Sequence, residues 1–322
     1  MRPAIDGSCV LVTGGAGFIG SHLVDKLIAE GARQVIVVDS MFLGSEDNLL
    51  DALRKGAVLY KEDAEFYSSL RYIFERHSVD IVFNAATKAL NYSFVNPSRA
   101  FDTNVGIILN LLELQRQNAF KTLCHFSTSE VYGTAVYEPM DEKHPVNPTT
   151  TYAAGKAAAD LALQSYVRMF NLDAFIVRPF NNYGPRQNYK GYLAGVIPIT
   201  IWRILNGQAP EIHGTGEQTR DFIFVLDTVD AVVRLYGKMA AGDSVNISTE
   251  GQVSIKEVVR KIVEQMNYSG EIIYKEARNS DVQCHNAANA KITSMIEYSL
   301  TPFDTGLQNT LAWYRKQIGA KP

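Results

Sequence analysis

The N-terminal half of the chain alternates short apolar runs with longer helical patterns, and this alternation constrains the fold more than any other feature. Candidate strands are CVLVT (9–13), QVIVVD (34–39), AVLYKE (57–62), DIVFNA (80–85), TLCHFS (122–127) and AFIVRP (174–179). Helical patterns lie between them near 18–30, 67–77, 99–117 and 150–170. The strands are continuous apolar runs, as expected where helices cover both faces of a parallel sheet. Units of this kind close with right-handed crossovers, so the pattern predicts an α/β fold, a doubly wound parallel sheet of the Rossmann type.

After about residue 180 the pattern changes. RPFNNYGPRQNYKGY (178–192) is a loop by composition. A helix is expected over 194–206, two short strands around the Gly-rich turn of EIHGTGEQTRDFIFV (211–225), and amphipathic helices over 254–266 and 305–317. These elements predict a first domain over 1–180 and a smaller C-terminal α+β substrate-binding region over 181–322. The stretch 221–249 is free to return to the sheet. A length of 322 residues suits one large or two modest domains, and 46% hydrophobic with 20% charged residues suits a sizeable core.

Net charge is −3 and no Lys/Arg cluster stands out, so nothing argues for nucleic acid or an anionic membrane surface. The opening MRPAIDGSCVLVTGG holds no apolar stretch long enough for a signal peptide or membrane helix. Cys9, Cys124 and Cys284 are scattered, odd in number and without metal spacing; the two that sit inside apolar runs read as buried thiols, which fits a reducing cytoplasm. The six histidines show no metal-ligand spacing, so no metal is expected.

Two local motifs carry chemistry. VLVTGGAGFIGSHLV (10–24) places Gly14, Gly17 and Gly20 directly after a strand and at the opening of a helix, with Phe18 and Ile19 among them. Gly14 permits the tight turn, Gly17 lets main chain approach a diphosphate, and Gly20 allows close helix–sheet packing. The helix N-terminus offers free N–H groups to phosphate. Asp39 ends the second strand, where a carboxylate accepts from both ribose hydroxyls and repels a 2′-phosphate; NAD is favoured over NADP. Further on, TTTYAAGKAAAD (149–160) puts Tyr152 and Lys156 on one helical face. An ammonium beside a phenol is expected to lower the tyrosine pKa, so that Tyr152 could take a proton from a sugar hydroxyl. Alone, that spacing is also a common helix surface.

GGAGFIG, the strand-end Asp39, NAATKAL (84–90), STSEVYG (127–133), YAAGK, RPFNNYGPR and GTGEQTRDFIFV occur in order. Together they resemble the extended short-chain dehydrogenase/reductase family, in its NAD-dependent nucleotide-sugar epimerase/dehydratase branch. The resemblance implies that Tyr152 is the base, and that Lys156 activates it and holds the nicotinamide ribose. It implies that Thr128 bonds the reacting O4, that Asp63 and Ala64 lie at the adenine, and that Lys88 reaches the cofactor ribose. Asn104 matches a position that supports the catalytic loop. Asn181, Arg220 and Arg278 match diphosphate-binding groups, with Arg186 beside them on the substrate side. A homodimer through the helices near 99–117 and 150–170 is implied as well. Gly155 departs from the usual Ser before the lysine, and EDAEF (62–66) is a loose match to the usual Gly-Asp pattern.

Glu130 bears on the reaction. All members of the branch begin by oxidising C4. An epimerase needs no second base there, and often carries a small residue. A 4,6-dehydratase uses a carboxylate to remove the C5 hydrogen, while a uronate decarboxylase loses carbon dioxide from the C4 ketone. Thr128-Ser129-Glu130 matches the pattern of certain dehydratases and of the decarboxylases. Other dehydratases carry Asp, the leaving-group acid, where this chain has Ser129. Lys88 leans towards epimerases. The sequence therefore leans to dehydration, with epimerisation and decarboxylation open. A non-catalytic NAD-binding sensor is disfavoured because Tyr152, Lys156 and Thr128 are all present.

Overall fold

The computed structural model describes residues 2–276 and 286–319. In chain order the first half runs β1 (Cys9–Thr13), α1 (Phe18–Ala29), β2 (Gln34–Val38), α2 (Leu50–Arg54), β3 (Val58–Tyr60), α3 (Tyr67–Phe74), β4 (Ile81–Asn84), α4 (Pro97–Arg116), β5 (Thr122–Phe126), α5 (Thr151–Phe170) and β6 (Asp173–Pro179). The second half continues with β7 (Asn181–Tyr183), α6 (Val196–Leu205), β8 (Glu211–His213), β9 (Thr219–Arg220), β10 (Phe222–Phe224), α7 (Val225–Tyr236) and β11 (Ser244–Ile247). It ends with β12 (Val253–Ser254), α8 (Ile255–Gln265), β13 (Ile273–Lys275), α9 (Ala290–Met295) and α10 (Phe303–Gly319).

Seven strands form one sheet in the order β3-β2-β1-β4-β5-β6-β11, and every pairing is parallel. Burial on both faces explains the unbroken apolar runs: β1, β4 and β5 are buried throughout. One face packs on α1 and α7, the other on α4 and α5. This is the predicted doubly wound sheet. The strand order reverses between β1 and β4, where a doubly wound fold opens its ligand crevice at the carboxyl ends of the strands. Residues 244–247 do return to the sheet, as its edge strand beside β6.

Helix starts follow their caps. Asn96 accepts from the Arg99 N–H ahead of Pro97, and Thr150 accepts from the Ala153 N–H. Gly155 is explained by packing. A Cβ there would stand 2.9 Å from the Phe101 carbonyl oxygen and 3.0 Å from Phe101 Cα. The glycine thus lets α5 approach the α4 backbone, and brings Asn104 of α4 close behind α5.

The second half has its own core of Tyr183, Ile197, Ile201, Phe224, Val258, Ile262, Leu307 and Leu311. Strands form on both sides of the Gly-rich turn at 214–216 but do not pair with each other. β8 pairs with β13, β9 with β12, and β10 with β7. Among the described residues no helix is long and apolar enough to cross a membrane.

Candidate active site

A cleft of about 660 Å³ opens at the carboxyl ends of the strands, between the sheet and the second-half elements. Gly14 leaves β1 with φ of +69°, and a Cβ on it would lie 2.7 Å from Ala86 Cα at the exit of β4. Gly20 is tighter still, since its Cβ would come 2.1 Å from the Gly14 carbonyl oxygen. The bare Gly17 caps α1 without a side chain, so the open N–H groups of that helix face the cleft. Gly14, Gly17, Phe18, Ile19 and Gly20 all line it. Such a cradle fits a dinucleotide diphosphate.

Asp39 does more than its motif suggested. Its carboxylate accepts from the N–H groups of Ala16 at 2.9 Å and Met41 at 2.8 Å. Burial pushes its pKa up against those bonds and one from Gly17. The residue therefore pins the glycine loop and also lines the cleft. Asp63 and Ala64 lie on the same wall, Asp63 accepting from the Glu65 N–H. Lys88 lines the cleft with its Nζ 4.3 Å from the centre of the Phe42 ring.

The STSEVYG segment turns back on itself just after β5. Thr128 caps a short 3-10 turn over Ser129–Tyr132, its Oγ1 accepting from the Glu130 N–H at 3.2 Å. Tyr152, at the start of α5, lines the cleft together with Thr87, Thr128 and Glu130. The phenol pKa is pushed up to about 12, first by burial and then by the Glu130 charge, with the two threonines opposing. This differs from the expectation that Lys156 would lower it. Lys156 is buried, and its Nζ donates to the Phe126 carbonyl at 2.8 Å. Burial also pulls the Lys156 ammonium down to about 8, against the attraction of Asp160.

Behind these groups lies a buried polar row that sequence reasoning missed. Thr13 Oγ1 donates to Asn84 Oδ1 at 2.6 Å, so Asn84 Nδ2 is the donor to His125 Nδ1 at 3.0 Å. The His125 proton therefore sits on Nε2, 3.8 Å from Asp160 Oδ1. Burial, with Lys156 and Arg178 nearby, holds the imidazole neutral. Asp160 Oδ2 accepts from Ser127 and twice from Arg178, and Arg178 also donates to the Tyr132 hydroxyl at 2.9 Å. Tyr132 in turn donates to Asn246 at 2.8 Å. Asp160 one turn beyond Lys156 and Arg178 at the end of β6 were legible as residues. Their meeting was not.

On the substrate side, Asn181, Arg186 and Arg220 all line the cleft. Asn181 Nδ2 is buried without a partner among the described residues, which suits an incoming anionic oxygen. Arg220 Nη1 donates to the Thr219 carbonyl. Arg186 is 2.7 Å from Asp25 of α1, so its charge is directed at that helix. Arg278 lies outside the described residues. Asn104 Oδ1 accepts from Thr87 Oγ1 at 2.9 Å and from the Lys88 N–H at 3.3 Å, tying the loop after β4 to α4. Among the described residues no cluster could hold a metal ion.

A doubly wound sheet with a bare glycine cradle at its switch point and an acidic strand end beside it defines a dinucleotide-binding protein of the Rossmann class. Residues 10–248 match the sequence profile described as "NAD dependent epimerase/dehydratase family". The chain belongs to that family, whose cofactor is NAD. It is 36% identical over 281 residues to a putative UDP-glucose 4-epimerase of Methanocaldococcus jannaschii, covering 85% of this chain and 87% of that one. It is 35% identical over 274 residues to a dTDP-D-glucose 4,6-dehydratase of Dictyostelium discoideum, covering 79% and 61%. The UDP-glucose 4-epimerase of Thermotoga maritima, solved with UDP-glucose, superposes with a TM-score of 0.90 at 32% identity, covering 96% and 99%.

Proposed function

We propose that this chain converts a nucleoside-diphosphate hexose by transient oxidation at C4, and that the full cycle is a 4,6-dehydration. NAD, when bound, supplies the hydride acceptor that stores the hydride between the two halves of such a cycle. Gly14, Gly17 and Asp39 would hold it, with Asp63, Ala64, Lys88 and Lys156 along its length. Thr128 holds the sugar O4 and Tyr152 takes its proton as the C4 ketone forms. The ketone acidifies the C5 hydrogen, which Glu130 removes and passes to the C6 hydroxyl, so that water leaves. C6 would then be reduced at the expense of the stored hydride while C5 takes a proton from solvent, leaving a C6 methyl and a C4 ketone. Asn181 and Arg220, with Arg278, would bind the diphosphate; Arg186 is left to its pairing with α1. Residues 1–180 with 221–249 would carry the cofactor, and the remainder the nucleotide.

The observation that carries this reading is Glu130. It lines the cleft together with Thr128 and Tyr152, and its charge disfavours the phenolate; a carboxylate in that position supports the reading of a second base. A 4-epimerase is the alternative. It is favoured by Ser129, a buried hydroxyl where some dehydratases carry an acid, by Lys88 in the cleft, and by the epimerases among the relatives. Incubating the protein with UDP-, GDP- and dTDP-hexoses and UDP-glucuronate, with products read by mass spectrometry and proton NMR, separates the outcomes. Loss of one water with a new C6 methyl signal is expected. Unchanged mass with altered C4 coupling would make it an epimerase, and loss of carbon dioxide a decarboxylase. We also propose a homodimer through α4 and α5, whose surfaces expose Leu109, Leu161, Met169 and Phe170.

A further inference from the structure

β2, β1 and β4 stand side by side in the sheet and end level, with Thr13 opposite Val38 on one side and Asn84 on the other. At about 4.8 Å per strand, the exits of β2 and β4 lie about 10 Å apart, and the glycine loop leaves β1 between them. Two side chains close that gap. Phe42, beyond the end of β2, and Lys88, beyond the end of β4, both line the cleft, and the Lys88 Nζ lies 4.3 Å from the centre of the Phe42 ring. Tyr92 packs on the same ring in a T-shaped contact, with centroids 5.3 Å apart and planes at 75°. A bridge between the two outer exits has to pass over the middle one, where the diphosphate cradle lies.

Both ends of the bridge are anchored. On the β2 side Asp39 accepts from the Met41 N–H at 2.8 Å. The Ala16 carbonyl, in the glycine loop, accepts from the Ser45 N–H at 3.0 Å and from Asn48 Nδ2 at 2.9 Å. The segment 40–44 is thereby tied at both ends to the loop it overhangs, while Phe42 between them is 42% exposed and adds little to the core. On the β4 side Tyr92 sits in a 3-10 turn over Leu90–Phe94, where Ser93 Oγ donates to the Leu90 carbonyl at 2.6 Å. Asn91 of the same turn donates from Nδ2 to the Ala194 carbonyl at 3.3 Å, on the second-half wall of the cleft.

We propose that Phe42 is a cofactor-retaining residue: with Lys88 and Tyr92 it forms a strap over the glycine loop that keeps NAD in place between the two hydride transfers. The purpose of the strap rests on the reaction proposed above. The hydride taken from C4 is stored until it is given back, so escape of the reduced cofactor in between would strand a keto sugar and leave the protein without its oxidant. A cation over an aromatic face is worth a factor of about two to thirty, from exposed to desolvated sites.

The test uses the full chain with cofactor alone. Chain loaded with NADH is mixed with excess NAD and release is followed by nicotinamide fluorescence; entry is followed by mixing NADH with cofactor-free chain. A strap must part for passage in either direction, whereas losing a simple contact with the cofactor speeds release alone. Phe42→Ala should therefore speed both entry and release, each by about twofold to thirtyfold. Phe42→Leu, which keeps apolar bulk without the ring face, should act in the same direction, and the unfolding midpoint of the cofactor-free chain should stay in place in both. In a Lys88→Met background the effect of Phe42→Ala should shrink, because the ring has already lost its cation. Unchanged release in Phe42→Ala, a change in release alone, or an equal effect with and without Lys88 overturns the strap and leaves the C4-oxidation reading standing. That reading fails separately, by absence of turnover in the sugar panel above, and such a result overturns the purpose given to the strap while its exchange rates stand.

Discussion

Replacing Gly14 and Gly17 by alanine, one at a time, should separate two jobs of the glycine loop. At Gly14 an added Cβ would lie 2.7 Å from both Ala86 Cα and Ala86 N, on a backbone with φ of +69°. The left-handed conformation costs an L-residue about 1–2 kcal/mol. Overlap with main chain adds the roughly 1–3 kcal/mol typical of overpacking. Neither neighbour can swing aside, because Thr13 and Asn84 are paired across β1 and β4 immediately before the contact. Gly14→Ala should therefore cost about 2–5 kcal/mol of stability. At Gly17 the backbone is ordinary, with φ of −78°, and the nearest atom to an added Cβ is the Gly14 carbonyl oxygen at 3.1 Å. The fold should absorb that methyl for under about 1 kcal/mol. The methyl would nevertheless occupy the open end of α1, and loss of one hydrogen bond to a charged phosphate costs about 1.5–3 kcal/mol, or tenfold and more in Kd. Denaturant unfolding without cofactor and calorimetric titration with NAD measure the two effects separately. Gly14→Ala should lower the unfolding midpoint. Gly17→Ala should unfold nearly as the parent does and bind NAD at least about tenfold more weakly. Equal destabilisation by both, or unchanged NAD affinity in Gly17→Ala, would refute the division.

Glu130→Gln should stop a dehydration after its first oxidation, so that reduced cofactor accumulates in a single turnover; an epimerase would tolerate the change, and no accumulation would remove Glu130 as the second base. Lys156 has a folded pKa of about 8 against a reference of 10.5, so between those values the unfolded chain binds more protons and stability rises with pH. Unfolding midpoints across that window should show a rise worth about 3 kcal/mol, which Lys156→Met should flatten; an unchanged slope would contradict the burial of the charge. Arg178→Met leaves Asp160 buried without its guanidinium and should cost about 3–5 kcal/mol. The double variant Asp160→Leu with Arg178→Met should recover part of that loss in the same unfolding assay, and a purely additive result would show that the pair is not coupled.

What was legible in the sequence follows from where each signal resides. Strands covered on both faces must be apolar throughout, so the first six sheet strands stood out as runs, and long helices between them as periodic patterns. The small pairs of the second half did not, because two- and three-residue strands carry no periodicity and find distant partners: β8 meets β13 some 60 residues on. The glycine loop, Tyr152 with Lys156, and STSEVYG were readable because each is contiguous or one helical turn apart. Thr87, His125 and Arg178 were not, since their partners meet only through the register of the sheet and the approach of α4 that Gly155 permits. The surroundings of Tyr152 are not legible for the same reason. Spacing places Lys156 one turn from Tyr152, but only the fold turns its ammonium to the Phe126 carbonyl.

STSEVYG itself shows how the cleft and the buried row depend on each other. Thr128 and Glu130 line the cleft, while Ser127, which also borders it, and Tyr132 bond Asp160 and Arg178 inside the protein. Phe126, immediately before, offers its carbonyl to Lys156. The distance between Glu130 and Tyr152 is therefore set less by either residue than by the buried partners of their neighbours. Both Asp160 and Lys156 ride on α5, which also carries Tyr152. One helix thus presents the phenol to the cleft and a carboxylate to the interior, and one seven-residue segment is held against both. The turn is thus fastened from its dry side. Ser129 stands between the two lining residues and is itself buried, so an acid in its place would meet the dry side of the turn and not open solvent.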